Sequence, residues 1–485
     1  MDLSTSRRTL LRGAGLGVAG LAGAALIGCG DKKEDKAAPA AAGGSPQAAA
    51  PAAPKADERG GTLRTGDVSD LVWNTGWPFV TSAGLSFFDS TTMETLVEYD
   101  STGAAKPLLA ESFELNKDAT KIVFKLKPNL EFHNGAPVTV EDVFFGLDLA
   151  LDPKKFGATG VSHMLPFAKM ITGRNKIDAR TMEFSFDKKR VNINDLFTKL
   201  DVTHAASYPD LLKGKTLAGT GPYKFKSWTP GVGWELEPNT KWHLADKRGA
   251  PRLDSIKGRL FADGASAALA FEAGELDYLG NVTPANGIRF KDKGLMTVRP
   301  KNGTQYLGFN TKNPTLADPR VRKALYLGID RARIAKDVGQ GLHPVTVQPW
   351  PTTSPAFDPR MEGAFYDPSQ AAALLKTAGF SQTKPLLISV SQTAGNQVAV
   401  AQIIQQNFKD IGVQTTVDAL ENGVFLQRLL SANYPDMFMS SHTGASDAPV
   451  SMFQWIFAHR LGDNPSKFDA QWYKDFIAKL EDLDP

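Results

Sequence analysis

Residues 386–440 read LLISVSQTAGNQVAVAQIIQQNFKDIGVQTTVDALENGVFLQRLLSANYPDMFMS, and this stretch decides the fold class. Residues 386–389 read as a strand, 398–411 as a helix and 413–417 as a strand. A helix over 422–432 and a strand over 437–440 complete the run. Such β-α-β-α-β alternation predicts an α/β domain with a largely parallel sheet, because parallel neighbours need a crossover that a helix supplies. Ligands of such sheets sit beyond the carboxyl ends of the strands. That rule directs attention to residues 441–449.

Working outward, helix starts are legible. Thr139-Val140-Glu141-Asp142 resembles a capping box that opens a helix carrying Val143, Phe144 and Leu147. Asp318-Pro319 places a capping carboxylate before a proline at the first helical position. The helix it opens presents Val321, Ala324, Leu325 and Gly328 on one face. Asp367-Pro368-Ser369-Gln370 repeats the device, and that helix stops at Gly379. These acids are therefore read as caps and not as catalytic groups. Strands at 112–115 and 120–126 flank Asn116-Lys117-Asp118 as a hairpin, with Ile122, Phe124 and Leu126 alternating with lysines. A short strand-like segment starts at Gly60, and a loop rich in aromatics, 71–78, follows it. Residues 93–99 read as an amphipathic helix.

The amino end reads as an address. The single cysteine of the 485 residues stands at position 29. Arg7-Arg8 precede an uncharged run over 13–27, which is signal-peptide length and short of the about 20 apolar residues of a membrane span. The paired arginines resemble the signal for export of folded proteins. Leu26-Ile27-Gly28-Cys29 resembles a lipobox, in which Cys29 becomes the lipidated first residue. Residues 1–28 are thus expected to be a twin-arginine lipoprotein signal peptide, and 29–59 an Ala/Pro-rich tether. Removing 1–28 takes away the cysteine-free leader, and with Cys29 alone no internal disulfide or cysteine-based zinc site can form. The chain's formal charge is +3. Loss of three leader arginines and one aspartate leaves the remainder close to neutral, with no electrostatic footprint for nucleic acid. Composition, 42% hydrophobic and 22% charged, is that of a globular protein.

Catalytic motifs are missing. Gly15-Leu16-Gly17-Val18-Ala19-Gly20 fits a dinucleotide fingerprint but lies in the leader with no preceding strand. There is no G-x-S-x-G, P-loop or H-E-x-x-H. The histidines at 133, 163, 204, 243, 343, 442 and 459 show no pair at metal-ligand spacing on one helix. No catalytic residue, metal or cofactor is expected.

Several segments together resemble one family. Residues 108–115, LLAESFEL, are followed by 124–143, FKLKPNLEFHNGAPVTVEDV. Then come Gly219-Thr220-Gly221-Pro222-Tyr223, Gly274-Glu275-Leu276-Asp277 and 306–311, YLGFNT. The order continues through 318–325, DPRVRKAL, and Ile329-Asp330-Arg331. It ends with Tyr366-Asp367-Pro368 through Ala378-Gly379-Phe380, and Ile411-Gly412-Val413. The set is very similar to the family 5 extracellular solute-binding proteins, the peptide/nickel/opine class of bacterial ABC importers. The resemblance implies an α/β periplasmic-binding-protein-like clamshell, class II with three lobes. Lobe I would comprise 60–97 and 219–304, an inserted lobe II 98–218, and lobe III 305–485. The family continues beyond this point, so a C-terminally truncated clamshell is expected.

The same resemblance implies a monomeric receptor that does no chemistry. It would capture an oligopeptide or peptide-like solute between its halves and deliver it to an ABC permease of the inner membrane. Cys29 would tether it in the periplasm or on the outer face of the cell membrane. An exported hydrolase and a non-transport sensor or chaperone lipoprotein are the alternatives on this fold. Many peptide-binding members carry an acid, before a proline, that pairs with the peptide amino group. Here the stretch reads Gly444-Ala445-Ser446-Asp447-Ala448-Pro449, and an ungapped alignment on Pro449 puts Ala445 at that place. Modified peptides, opines, sugars and metal chelates therefore join oligopeptides as ligands. Candidate ligand residues are Trp73 and Trp77 on the cleft rim, Tyr306 near the hinge crossing, Trp350 in a proline-flanked loop, and His442, Thr443 and Asp447 after the last strand.

Overall fold

The computed structural model describes residues 59–481 apart from 76, 79–85, 101–102, 161, 163, 191, 281, 296–302, 351–355, 364, 393–395, 444–448, 457 and 463. Residues Ala56–Pro485 form one unit. The leader, Cys29 and nearly all of the tether lie outside the described residues.

Two large hydrophobic cores, with two small satellites, divide the described part. The first lies under two sheets. One has the strand order Tyr278–Leu279, Thr62–Asp67, Ser255–Leu260, Gly233–Pro238, Tyr223–Thr229. Thr62–Asp67 runs parallel to both its neighbours, and the last two strands form an antiparallel hairpin. The other sheet, Ala110–Leu115, Lys121–Leu126, Thr181–Phe186 and Ile171–Lys176, is antiparallel throughout. A single cluster from Trp73 and Phe88 through Phe124 and Phe184 to Leu236 and Ile256 runs beneath both. The second core belongs to one mixed sheet, Gly303–Phe309, Met437–Thr443, Leu386–Ser391, Thr415–Leu420. It gathers Leu325, Leu375, Ile388, Ile404 and Phe408. We call the two parts the first and second halves.

The α/β reading of 386–440 holds, with adjusted bounds. Leu386–Ser391 is parallel to Thr415–Leu420 and to the start of Met437–Thr443. Gly303–Phe309 pairs antiparallel with Met437–Thr443, so the sheet is mixed. Leu386–Ser391 is almost wholly buried, as a strand covered on both faces must be. The caps stand as expected. Thr139 Oγ1 accepts from the Asp142 amide, and Asp142 Oδ2 accepts from the Thr139 amide at 3.0 Å. Asp318 accepts from the Arg320 amide and Asp367 from the Gln370 amide, each at 2.8 Å. Such a cap stabilises its helix by about 1 kcal/mol. The expected helix over 93–99 is corrected: the helix is Ser86–Thr92, and Val97–Tyr99 is a strand paired with Ala105–Pro107. Strand pairing outweighs the helical spacing of Met93, Leu96 and Val97 there.

One backbone crossing ties the first half together. A Cβ on Gly219 would stand 1.9 Å from Thr92 O, and one on Gly221 2.6 Å from Thr91 O. Only glycine lets the two chains come this close. Gly221 N donates to Thr92 O at 3.1 Å, and His133 N to Gly219 O at 2.8 Å. The His133 Nε2–H donates to Gly221 O at 3.0 Å. Burial holds His133 down to about 4, so its ring is neutral. Near this crossing lie two carboxyls. Asp89 is pushed up to about 7 by burial, and its Oδ1 has no hydrogen-bond partner. Asp201 is pushed up too, by burial and then by the Asp89 charge.

Gly219→Ala should therefore cost on the order of 3 kcal/mol or more in urea unfolding, as an overpacked site does. Gly264→Ala, with open space around the added methyl, should be nearly neutral. Equal effects of the two would refute the close-approach argument. The carboxyl pair carries its own sign. Asp89 binds a proton when folded that the unfolded chain releases, so stability falls as pH rises from about 4 to about 7. Asp89→Asn should be more stable than the parent at pH 8 and gain nothing at pH 4, read from unfolding midpoints at each pH.

Candidate functional site

The second half carries a cluster of aromatic and imidazole rings at the end of its sheet. Cross-strand register sets Thr304 opposite His442 and Tyr306 opposite Ser440. Thr304 Oγ1 donates to Pro349 O at 3.2 Å, and His442 Nε2 meets the same oxygen at 2.7 Å. A carbonyl only accepts, so Nε2 carries the proton and Nδ1 is left as a bare acceptor. Nδ1 is buried and has no partner. The next residue, Trp350, is half-buried and meets Phe453 edge-on at 5.8 Å. Tyr306, His442 and His459 lie mutually within 5.3–5.8 Å between ring centroids. Burial lowers His442, and the Pro349 contact opposes this. His459 is lowered to about 4, first by burial and then by His442. Tyr306 is pushed up to about 12 by burial, against a hydrogen bond from Ser440. The site is therefore uncharged and aromatic near neutral pH.

Helix Pro449–Trp455 follows this strand and faces two ways. Phe453 turns to Trp350, His459 and Tyr473. Ser451 and Gln454, one turn apart, turn to the first half. Asn192 Nδ2 donates to Ser451 Oγ and, at 2.6 Å, to Gln454 Oε1. Asp195 accepts from the hydroxyls of Ser451 and Tyr99. Asp195 and Ser451 are fully buried.

The structure thus gathers Tyr306, Trp350 and His442 in one place. Thr443 joins them through its strand, pairing with Gly303. Asp447 lies outside the described residues, as does Cys29. Trp73 and Trp77 are placed inside the first core and not on a rim, 3% and 0% exposed. They pack on each other and on Phe88, and Trp73 also faces Phe225 and Trp228. Two tryptophans beside an aromatic hairpin remove more apolar area from water inside than at an edge. Asn192, Asp195, Ser451 and Gln454 were not read from the sequence, and Asn192-Ile193-Asn194-Asp195 gives no signal beyond a helix start. Among the described residues, no group of three His, Cys, Asp or Glu could hold a metal ion. No described helix is long and apolar enough to cross a membrane.

Holding His459 neutral means that the unfolded chain binds the extra proton between about pH 6.5 and 4, so stability falls on acidification through that window. His459→Phe should lose less stability than the parent between pH 7.5 and 4.5 in urea titrations. An equal loss would show that His459 is not held neutral in the fold.

Comparison with known proteins places this architecture. The model of bacterial extracellular solute-binding proteins, family 5, middle region, matches residues 104–463. The oligopeptide-binding protein OppA of Bacillus subtilis is 27% identical over 423 residues, 80% of this chain and 75% of that protein. Di/tripeptide-binding protein 2 of Pseudomonas aeruginosa is 25% identical over 73% of this chain and 70% of its own length. Among solved structures, the Helicobacter pylori periplasmic binding protein DppA, in complex with peptide STSA, superposes with TM-score 0.75 at 20% identity over 88% of each chain. AgaA of A. tumefaciens R10, in complex with agropinic acid, gives 0.73 at 24% identity over 86% of this chain and 85% of its own. These structures share the α/β clamshell fold. The chain belongs to the family 5 bacterial extracellular solute-binding proteins.

Proposed function

We propose that this protein is the solute receptor of an ABC importer, taking a short peptide or peptide-like solute between its halves and presenting it to a membrane permease. The observation that carries the reading is the uncharged aromatic wall of Tyr306, Trp350, His442 and Phe453, built where helix Pro449–Trp455 meets the first half. The names of the relatives support it: OppA and di/tripeptide-binding protein 2 are peptide-binding proteins. Rings offer area and shape without fixing charge, which suits ligands of varied side chain. The agropinic-acid complex of AgaA keeps opines as a second ligand class.

The receptor does no chemistry of its own and works as a monomer. Residues 1–28 form its export signal, Cys29 its lipid anchor and 29–59 its tether, at the outer face of the membrane that holds the permease. Its three lobes are 60–97 with 219–304, the insertion 98–218, and 305–485. The strand order supports this division, since Thr62–Asp67 sits between strands that begin at Ser255 and Tyr278.

A thermal-shift screen of di- to pentapeptides, opines, sugars and nickel–histidine should find one class that raises the melting point. Ligand at a hundred times its Kd adds about 2.7 kcal/mol to stability. The bound peptide should be recovered intact by mass spectrometry. Trp350→Ala should weaken the best ligand by about tenfold or more. Steady release of cleaved product would instead establish a hydrolase, and a screen without any shift would overturn the receptor reading.

A further inference from the structure

Bonds from Asn192 and Asp195 to Ser451 and Gln454 are, between described residues, the hydrogen bonds that join the two halves. Every sheet lies within one half, and so does each of the two large cores. Between described residues, these junction bonds therefore run from side chain to side chain. The centre of the junction is dry, with Asp195 and Ser451 0% exposed and Asn192 4% exposed, while Gln454 at its edge is half-buried.

Each member has a defined source. Asn192 precedes, and Asp195 sits in, the short helix Ile193–Phe197, whose Ile193, Leu196 and Phe197 belong to the first core. Tyr99 ends the strand Val97–Tyr99 and donates to the other Asp195 oxygen. Ser451 and Gln454 are one turn apart on the helix that also carries Phe453. A carboxylate taken out of water needs donors that fit it. Here Ser451 supplies one across the junction, and Asn192 supplies the amide hydrogens that orient Ser451 and Gln454. A misplaced helix would break these three bonds together, so the set favours one docking geometry.

We propose that Asn192, Asp195, Ser451 and Gln454 form a closure latch. They are positioning residues that hold helix Pro449–Trp455, and with it the Phe453–Trp350 wall, in the closed arrangement, without touching the ligand. This deepens the receptor reading and rests on it for its effect on affinity. Binding is diminished by the fraction of molecules that are not closed. A latch acts on that fraction alone, so it changes the affinity of every ligand by one common factor. A contact residue changes affinities unequally.

The test uses the full chain and two unlike probes, the tetrapeptide Ser-Thr-Ser-Ala and the dipeptide Ala-Phe, with Kd measured by calorimetry. Ser451→Ala and Asn192→Ala should raise both Kd values by the same factor, about tenfold, the weight of one hydrogen bond to a charged or buried partner. The double variant should weaken binding by less than the product of the singles, because the two residues share one bond. Trp350→Ala should shift the two probes by different factors. Unchanged Kd values, or a change confined to one probe, would overturn the latch. A second measurement needs no ligand: amide hydrogen exchange of residues 450–455. Alanine favours a helix more than serine, yet Ser451→Ala should exchange faster than the parent if the latch holds the helix. Equal or slower exchange rejects the latch. If the parent binds neither probe, the receptor reading fails for these peptides while the exchange result still decides the latch. Should Asn192→Ala not fold, Ser451→Ala and Gln454→Ala carry the same comparison.

Discussion

The first half rests on one main-chain crossing, where Gly219 and Gly221 lie against the carbonyls of Thr91 and Thr92. Hydrogen bonds from His133 to both glycine carbonyls fix the loop before helix Val140–Leu151 to the same point. Asn239 adds a third donor at 3.1 Å. Distant stretches of chain are thereby joined at the backbone of Gly219 and Gly221, partly by main-chain bonds and partly by the side chains of His133 and Asn239. The sheet Tyr223–Thr229 with Gly233–Pro238 leads away from this point, and the antiparallel sheet begins beyond it. Their shared core is possible because the crossing holds them at a fixed distance.

Among the described residues, the second half shows no such main-chain tie to the first. It folds around its own core, from Leu316 to Met439, and its loops are held internally. Asp436 shows the economy of this: its carboxylate accepts from the Leu387 amide and from Asn313, at 2.7 and 2.6 Å, joining a sheet strand to the loop before helix Pro319–Leu327. Two self-sufficient bodies that meet through side chains are what a hinged binding protein requires. Neither body has to unfold for the pair to part.

Local chemistry was the legible part of the chain. Thr139, Asp318 and Asp367 cap helices because their bonds reach only a few residues, and a short window contains every partner. The hairpin strands Ala110–Leu115 and Lys121–Leu126, and the strand–helix alternation after Leu386, are equally local. Met93, Leu96 and Val97 misled because their spacing suits a helix while the partner strand, Ala105–Pro107, lies outside that window. The place of Trp73 and Trp77 in a loop after the first strand suggests a rim, which the structure corrects. Trp73 is buried against Phe225 and Trp228, some 150 residues away, and Trp77 packs on Trp73 and Phe88. Of the candidate site, Tyr306 is legible from its place near the hinge crossing, Trp350 from its flanking prolines and His442 from the strand-end rule. The pairing of Asn192 with Ser451 spans 259 positions, and no local feature of either residue announces it.

The loop before Trp350 is held by its main chain. Thr304 and His442, from two neighbouring strands, both donate to the carbonyl of Pro349. The anchor thus belongs to the residue before the tryptophan and involves no atom of the indole. Any side chain that comes to stand at 350 inherits the same place on the wall, with the frame unaltered. The side chain at 350 and the frame that presents it are therefore physically separable: one can be exchanged without loosening the other.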